Sequence, residues 1–244
     1  MTTKTAMRFA LCGALINLWT VTSAAYAAPD AAGHWEGKIQ IPEHELGIAV
    51  DLAKDAKGAW IGSMTVVGSS SVDVPLGNLA VDGASVRFTA TLPENASFEG
   101  NLSADGNTLA GSAANKEDKA PFQLTRSGAA NVKVPPPSSM LAKEFAGPWE
   151  GAVETNGQVR RIALTLSAAP DGTAVATLIS LNRNLQIPVT TVTIHGQELQ
   201  LESRAISGTY RGTLGASGEI AGEWSERTNR FPLTFKRAAG GDKK

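Results

Sequence analysis

The chain writes nearly the same phrase twice. Gly33-His34-Trp35-Glu36-Gly37 and Gly147-Pro148-Trp149-Glu150-Gly151 lie 114 positions apart. With Trp35 set on Trp149, Gly37 falls on Gly151, Leu52 on Leu166 and Gly58 on Gly172 at the same offset. The offset then drifts to 113 at Pro75 and Pro188, and at Asp82-Gly83 and His195-Gly196. It is 112 at Phe98-Glu99-Gly100 and Tyr210-Arg211-Gly212, and 111 at Gly111/Gly222, Pro121/Pro232 and Arg126/Arg237. Turns accept such single-residue slips and strands do not. The anchors therefore predict one domain in two copies, over residues 33–126 and 147–237, because self-similarity at a fixed period marks repeated structural units. Residues 127–146 between them hold Pro135-Pro136-Pro137, which is stiff and extended, and read as a linker. Its end, Met140 to Phe145, reads either as one helical turn or as a segment packed on the second copy. Residues 238–244 read as a polar tail.

Each copy reads as strands. Ile162, Leu164 and Leu166 alternate with Ala163 and Thr165, and Leu199 and Leu201 with Gln200 and Glu202. That period of two marks half-buried strands. Pro170-Asp171-Gly172 is a turn: proline presets φ, aspartate bonds the local backbone, and glycine takes positive φ. Phe231, Leu233 and Phe235 share one face of a last strand. About eight short strands per copy, spaced by turns, predict an antiparallel sandwich or barrel. Hairpin turns between nearly all neighbours favour an up-and-down meander, and closure would remove its edges. The fold class expected is all-β: two tandem small antiparallel meander β-barrels, outlined like lipocalins, with interiors mostly filled by their own side chains.

Residues 1–27 read as a secretory signal peptide. Lys4 and Arg8 precede an apolar run from Phe9 to Trp19, and Ala25 and Ala27 form a small-residue cleavage site. Cleavage removes Cys12, the only cysteine, and leaves 20 basic residues against 23 acidic, a net charge of −3. A thiol nucleophile, a disulfide and a cysteine metal site are thereby excluded from the mature chain. The acidic balance argues against a nucleic-acid partner, and no later segment is apolar enough to span a membrane as a helix. Export without disulfides suits a Gram-negative periplasm or secretion.

Motifs for chemistry are few. The strand-to-helix elbow G-x-S-x-G does not occur: Gly68 to Val72 lacks the closing glycine, and Gly215 to Gly218 is one residue short. No phosphate-binding glycine loop or H-E-x-x-H is present. His34 and His44 stand near Glu36, Glu43 and Glu45, but the second copy has Pro148 at the His34 position, so they read as solvated loop residues; His195 reads as a turn residue. No metal and no cofactor is expected. Trp35 and Trp149 read as barrel plugs, with Arg126 and Arg237 stacked over them. The repeated glycines read as points of close strand approach. Trp60 and Trp224 face Ala174 and Ala113 in the other copy. They read first as packing residues, and they are the candidates for ligand contact.

The second copy, from "GPWEG" through "IALTL", "PDG", "YRGTL" and "GEIAGEW" to "FPLTFKR", resembles a small all-β accessory domain found upstream of secreted bacterial α/β-hydrolases and in stand-alone exported proteins. The first copy departs from it at Ala113 and in its polar last hairpin. The resemblance implies an envelope or secreted accessory domain and carries no catalytic residues onto this chain. The functional expectation is a non-enzymatic binding or interaction module, its partner an envelope protein or a small apolar ligand. The alternatives are an envelope hydrolase with a site between the barrels, and a lipocalin-like carrier.

Overall fold

The structure is a computed structural model that describes residues 30–42, 44–155 and 157–238. The signal-peptide reading, Glu43 and most of the polar tail lie outside these residues. All regular structure among them is β. The first unit holds β1 (Gly33–Ile41), β2 (His44–Lys54), β3 (Trp60–Val66), β4 (Val74–Asp82), β5 (Ser85–Ala90), β6 (Ala96–Leu102), β7 (Thr108–Ala114) and β8 (Lys119–Gly128). They form a closed antiparallel meander in sequence order, with β8 returning to β1 over Phe122↔Ile39 to Gly128↔His34.

The second unit holds nine strands: β9 (Gly147–Thr155), β10 (Gln158–Ala168), β11 (Ala174–Ser180), β12 (Leu185–Pro188), β13 (Thr191–His195), β14 (Glu198–Ser203), β15 (Gly208–Leu214), β16 (Ile220–Glu226) and β17 (Asn229–Arg237). Their order is β12-β11-β10-β9-β17-β16-β15-β14-β13, a curled sheet whose ends meet without a ladder. The ninth strand arises where one expected strand breaks. In the first unit β4 turns through a register shift between Gly77 and Ala80, and Asn78 takes φ 48°. The aligned residue in the second unit is Thr191, and a β-branched side chain tolerates that region poorly. The strand parts at Val189–Thr190 instead, leaving the amide of Thr190 bonded to the Glu202 carbonyl at 2.6 Å.

Residues 138–141, near the end of the segment read as a linker, fill the resulting gap. Ser139 donates its amide to the Val192 carbonyl at 2.8 Å and accepts the Ala174 amide at 2.8 Å. Leu141 donates to the Gly172 carbonyl at 3.0 Å, and the hydroxyls of Ser138 and Ser139 accept the Val192 and Ile194 amides at 3.0 Å each. Met140 forms a bridge with Thr173. Three residues thus act as an inserted strand between β11 and β13. Phe145, next along, is fully buried in the second core, so Met140 to Phe145 packs on the second copy.

The two cores repeat one device. The Trp35 indole N–H donates to the Ala31 carbonyl at 3.0 Å, and that of Trp149 to the Phe145 carbonyl at 2.8 Å. The Arg126 guanidinium lies 4.3 Å from the Trp35 ring and Arg237 3.8 Å from that of Trp149. Arg126 also donates to the Asp30 and Ala32 carbonyls, and Arg237 to the aligned Glu144 and Ala146 carbonyls. Both indoles are buried, each removing about 150–250 Å² from water, worth about 4–6 kcal/mol of transfer free energy.

The repeated glycines are points of contact. Gly100 pairs with Gly111 and Gly212 with Gly222. A Cβ on Gly111 would stand 2.0 Å from the Glu99 carbonyl oxygen, and one on Gly222 2.1 Å from that of Arg211. No flexible side chain is there to yield, so the backbones must part. Away from these pairs the units differ in filling. Phe88 stacks on Phe98 at 4.6 Å, and Phe98 meets Phe122 edge-on at 5.7 Å. The second core has one aromatic pair, Tyr210 and Phe235 at 5.1 Å.

The units touch through the β3–β4 loop and the β14–β15 turn. Ser71 and Ser207 hydroxyls donate to the Ala205 and Ser70 carbonyls at 2.6 Å each, and the Val72 amide donates to Arg204 at 3.1 Å. Arg204 donates to the Asp73 carbonyl at 3.1 Å and to that of Lys133. Asp51 holds the start of the connecting segment, accepting the Asn131 amide at 2.7 Å and sharing a 2.9 Å hydrogen bond with His34 Nδ1.

Two outcomes follow. Gly222→Ala costs about 2–3 kcal/mol by overpacking, read as a lowered urea midpoint, whereas Gly128→Ala, whose methyl would meet nothing within 4 Å, leaves the midpoint unchanged. The hydrogen bond to Asp51 raises the His34 pKa above its ordinary 6.5. A raised value means the folded state favours the protonated ring. The stabilisation is full below pH 6.5 and is lost as pH rises through the folded value. The melting temperature therefore declines over that rise, and His34→Gln removes this part of the decline.

Candidate functional site

One end of the second unit carries four turns: β9–β10, β11–β12, β14–β15 and β16–β17. Here the interior is not filled. A cavity of about 350 Å³ opens at this mouth. Its walls follow from strand parity. On β10 the inward residues are Ile162, Leu164 and Leu166, and Arg160 continues the same face at half burial. Arg160 pairs with the inward Val153, and Ile162 with Ser180. Across the mouth, Trp224 pairs with Phe231 on one side and Tyr210 on the other.

Apolar groups form the body of the cavity: Val153, Ile162, Leu178, Ile187, Trp224 and Leu233. Trp224 packs closely on Gly208, where a Cβ would fall 2.3 Å from its ring. The polar groups gather nearer the rim, with Arg160 and Arg183 on the β10 and β11–β12 side and Glu226 and Asn229 at the β16–β17 turn. Pro93, from the β5–β6 loop of the first unit, completes the wall.

The first unit supplies an internal comparison. At the aligned interior positions it has Ile41 for Thr155, Leu46 for Arg160, Val66 for Ser180, Ala90 for Ser203 and Ala113 for Trp224. Four apolar residues that pack on the first core are thus polar in the second. Ser180 and Ser203 are buried, and the Ser203 hydroxyl has no hydrogen-bond partner among the described residues. Such groups cost stability in a packed core.

The two tryptophans singled out from the sequence are separated. Trp224 lines the cavity. Trp60 lies on the first unit, with Lys54 Nζ 5.0 Å from its ring, beside an open surface hollow of about 500 Å³ bordered by Asp30 and Val81. Arg160, Ser180 and Glu226 were not singled out from the sequence. The signal that finds Arg160 is its parity with Ile162, set against Leu46 in the other copy.

Other candidate chemistry is sparse. The groove between the units, about 590 Å³, gathers Glu94, Lys116, Glu117 and Arg183, with Thr91 its one hydroxyl side chain among the described lining. No group of three metal-ligating side chains occurs among the described residues. His34 is a strand residue and not a solvated loop residue. It sits in β1, its side chain 29% exposed, between Asp51 at 2.9 Å and Glu36 at 3.3 Å. His44 opens β2 at the surface. The Tyr210 phenol donates within reach of the Ile220 and Leu233 carbonyls, at 3.0 and 3.1 Å, and burial pushes its pKa up. It is a core hydrogen-bonding group.

No helix among the described residues is long and apolar enough to cross a membrane. No family model matches the chain, and no curated protein matches it. Among solved structures, a protein of unknown function of the DUF3598 family from Nostoc punctiforme PCC 73102 is similar at 12% identity and a TM-score of 0.26, covering 85% of this chain and 96% of that one. A "putative outer membrane protein" of Bacteroides fragilis NCTC 9343 is similar at 12% identity and a TM-score of 0.26, covering 86% of this chain and 97% of that one. Likeness at that level carries no argument about what this chain does.

Proposed function

We propose that the protein is an exported, non-enzymatic binding module whose second barrel takes a small apolar ligand into its mouth. The observation that carries this reading is the cavity beside Trp224, set in one of two copies of the same fold. The sequence repeat makes the two barrels alternative fillings of one frame. One packs three phenylalanines around its axis; the other keeps about 350 Å³ lined by aliphatic side chains and an indole. Pockets of this size, mostly apolar with a few polar groups, are where small molecules bind.

The volume sets the ligand's size. A dry apolar cavity of about 150 Å³ accepts benzene, so twice that suits a molecule of about a dozen heavy atoms. Trp224 gives a broad flat wall, and the rim gives groups that would orient a polar end. Export follows from the signal-peptide reading, and the Gram-negative periplasm from the thiol-free mature chain. The Trp60 hollow is open and lies on the filled barrel, so Trp60 is assigned no ligand role here.

Titration with 1-octanol and with naphthalene, followed by calorimetry and tryptophan fluorescence, tests the proposal. Saturable one-to-one binding is expected, with a fluorescence change that Trp224→Phe largely removes and Trp60→Phe retains. Absence of saturable binding by either probe would overturn the proposal.

A further inference from the structure

We infer that the ligand of the second barrel carries an anionic head, a carboxylate by preference, and that Arg160 selects it. The inference rests on the cavity reading above and adds the chemical class of what enters. It starts from a substitution inside the molecule itself. Leu46 packs against the first core, and the aligned position in the second barrel is Arg160. The side chain keeps the inward parity of β10 and pairs with inward Val153, one step above the buried Ile162. A hairpin tip offers arginine free exposure on the other parity, where Arg161 meets Glu150 at 3.1 Å. Arg160 is instead aimed into the mouth.

A guanidinium drawn toward an apolar cavity loses hydration, and a partner must offset that loss. Among the described residues no carboxylate lies in ion-pair contact with Arg160 or Arg183, whereas Arg161, Arg204 and Arg230 each have one. Arg183 stands on the same side of the mouth, in the turn after β11, where the Leu181 amide holds to the Arg161 carbonyl at 2.9 Å. The one carboxylate in the lining, Glu226, is on β16. Sheet order puts β9 and β17 between β10 and β16, so the two sites are three strand spacings apart, about 14 Å along the curved sheet. Among the charges in the lining, the cations therefore stand on β10 and in the β11–β12 turn, and the one carboxylate stands on β16.

Below Arg160 the walls are apolar but for Ser180, down to Leu178, Trp224 and Leu233. A short apolar chain would lie there, with its head at the rim. Arginine's planar fork matches the two oxygens of a carboxylate, which gives direction as well as attraction. Ser180, in register with Ile162, adds a hydroxyl on the same wall.

The test compares three probes with the same tail, 1-octanol, octanoate and octylammonium, on the mature full chain by calorimetry at low and high salt. Octanoate is expected to bind at least about tenfold tighter than 1-octanol, with the advantage shrinking in salt, and octylammonium weakest. Arg160→Leu, which installs the residue of the first barrel, should bring octanoate down to the level of 1-octanol and leave 1-octanol within about twofold. Arg160→Lys should keep part of the preference. Should Arg160→Leu destabilise the fold, seen in a thermal melt, Arg160→Gln replaces it. Equal binding of octanoate and 1-octanol to the unmodified protein overturns the inference and leaves the cavity reading standing. A variant that weakens both probes alike also overturns it, since the arginine would then act through the fold. If neither probe binds, the cavity reading falls and this inference with it.

Discussion

An arginine from the last strand lies over the indole of the first in each barrel, and the remainder of each unit depends on that contact. In both barrels the guanidinium has three attachments in common: the face of the ring, a carbonyl three residues before the tryptophan and another five residues before it; Arg126 donates to the Gly106 carbonyl as well. The indole N–H takes the carbonyl four residues before. A meander closes only if its first and last strands meet, and ladder hydrogen bonds alone leave that meeting free to slip in register. Here the register is set by side chains at one end. This matters most in the second unit, where β17 and β9 share only the pairs Lys236↔Glu150 and Arg237↔Trp149.

Closure on the opposite side of the second unit is handled differently. The strand that bends in the first unit breaks in the second, and Ser138 to Met140 enter the breach. The chain between the barrels is thus committed at both ends. Asp51 holds its beginning, and the sheet of the second barrel holds its end. The serine contacts between the β3–β4 loop and the β14–β15 turn add hydrogen bonds to main-chain carbonyls of the opposite barrel.

Much of this was legible in the sequence, and the reasons differ by element. The duplication, the all-β class and the tryptophan–arginine stacking follow from large or special side chains that recur at near-constant offset. The break after Pro188 was not legible, because it turns on whether Asn78 or Thr191 tolerates one positive φ. The inserted strand was hidden by its brevity: three residues beside a proline run carry no alternation to read. The cavity was hidden for another reason. Arg160 and Ser180 belong to no motif, and they stand out only when the interior positions of the two copies are compared, with Leu46 and Val66 in the first. Trp224 was found because an indole facing an alanine is a large volume change, and volume is what a barrel interior must balance.

Pro93 gives the cavity one wall from a different barrel than the rest. The mouth is thus closed by a surface that belongs to its neighbour. A molecule seated there would touch both halves of the duplication at once, and its binding free energy would be shared with the contact between them. Occupancy would then be expressed as mechanical cohesion, stiffening the joint between the two halves.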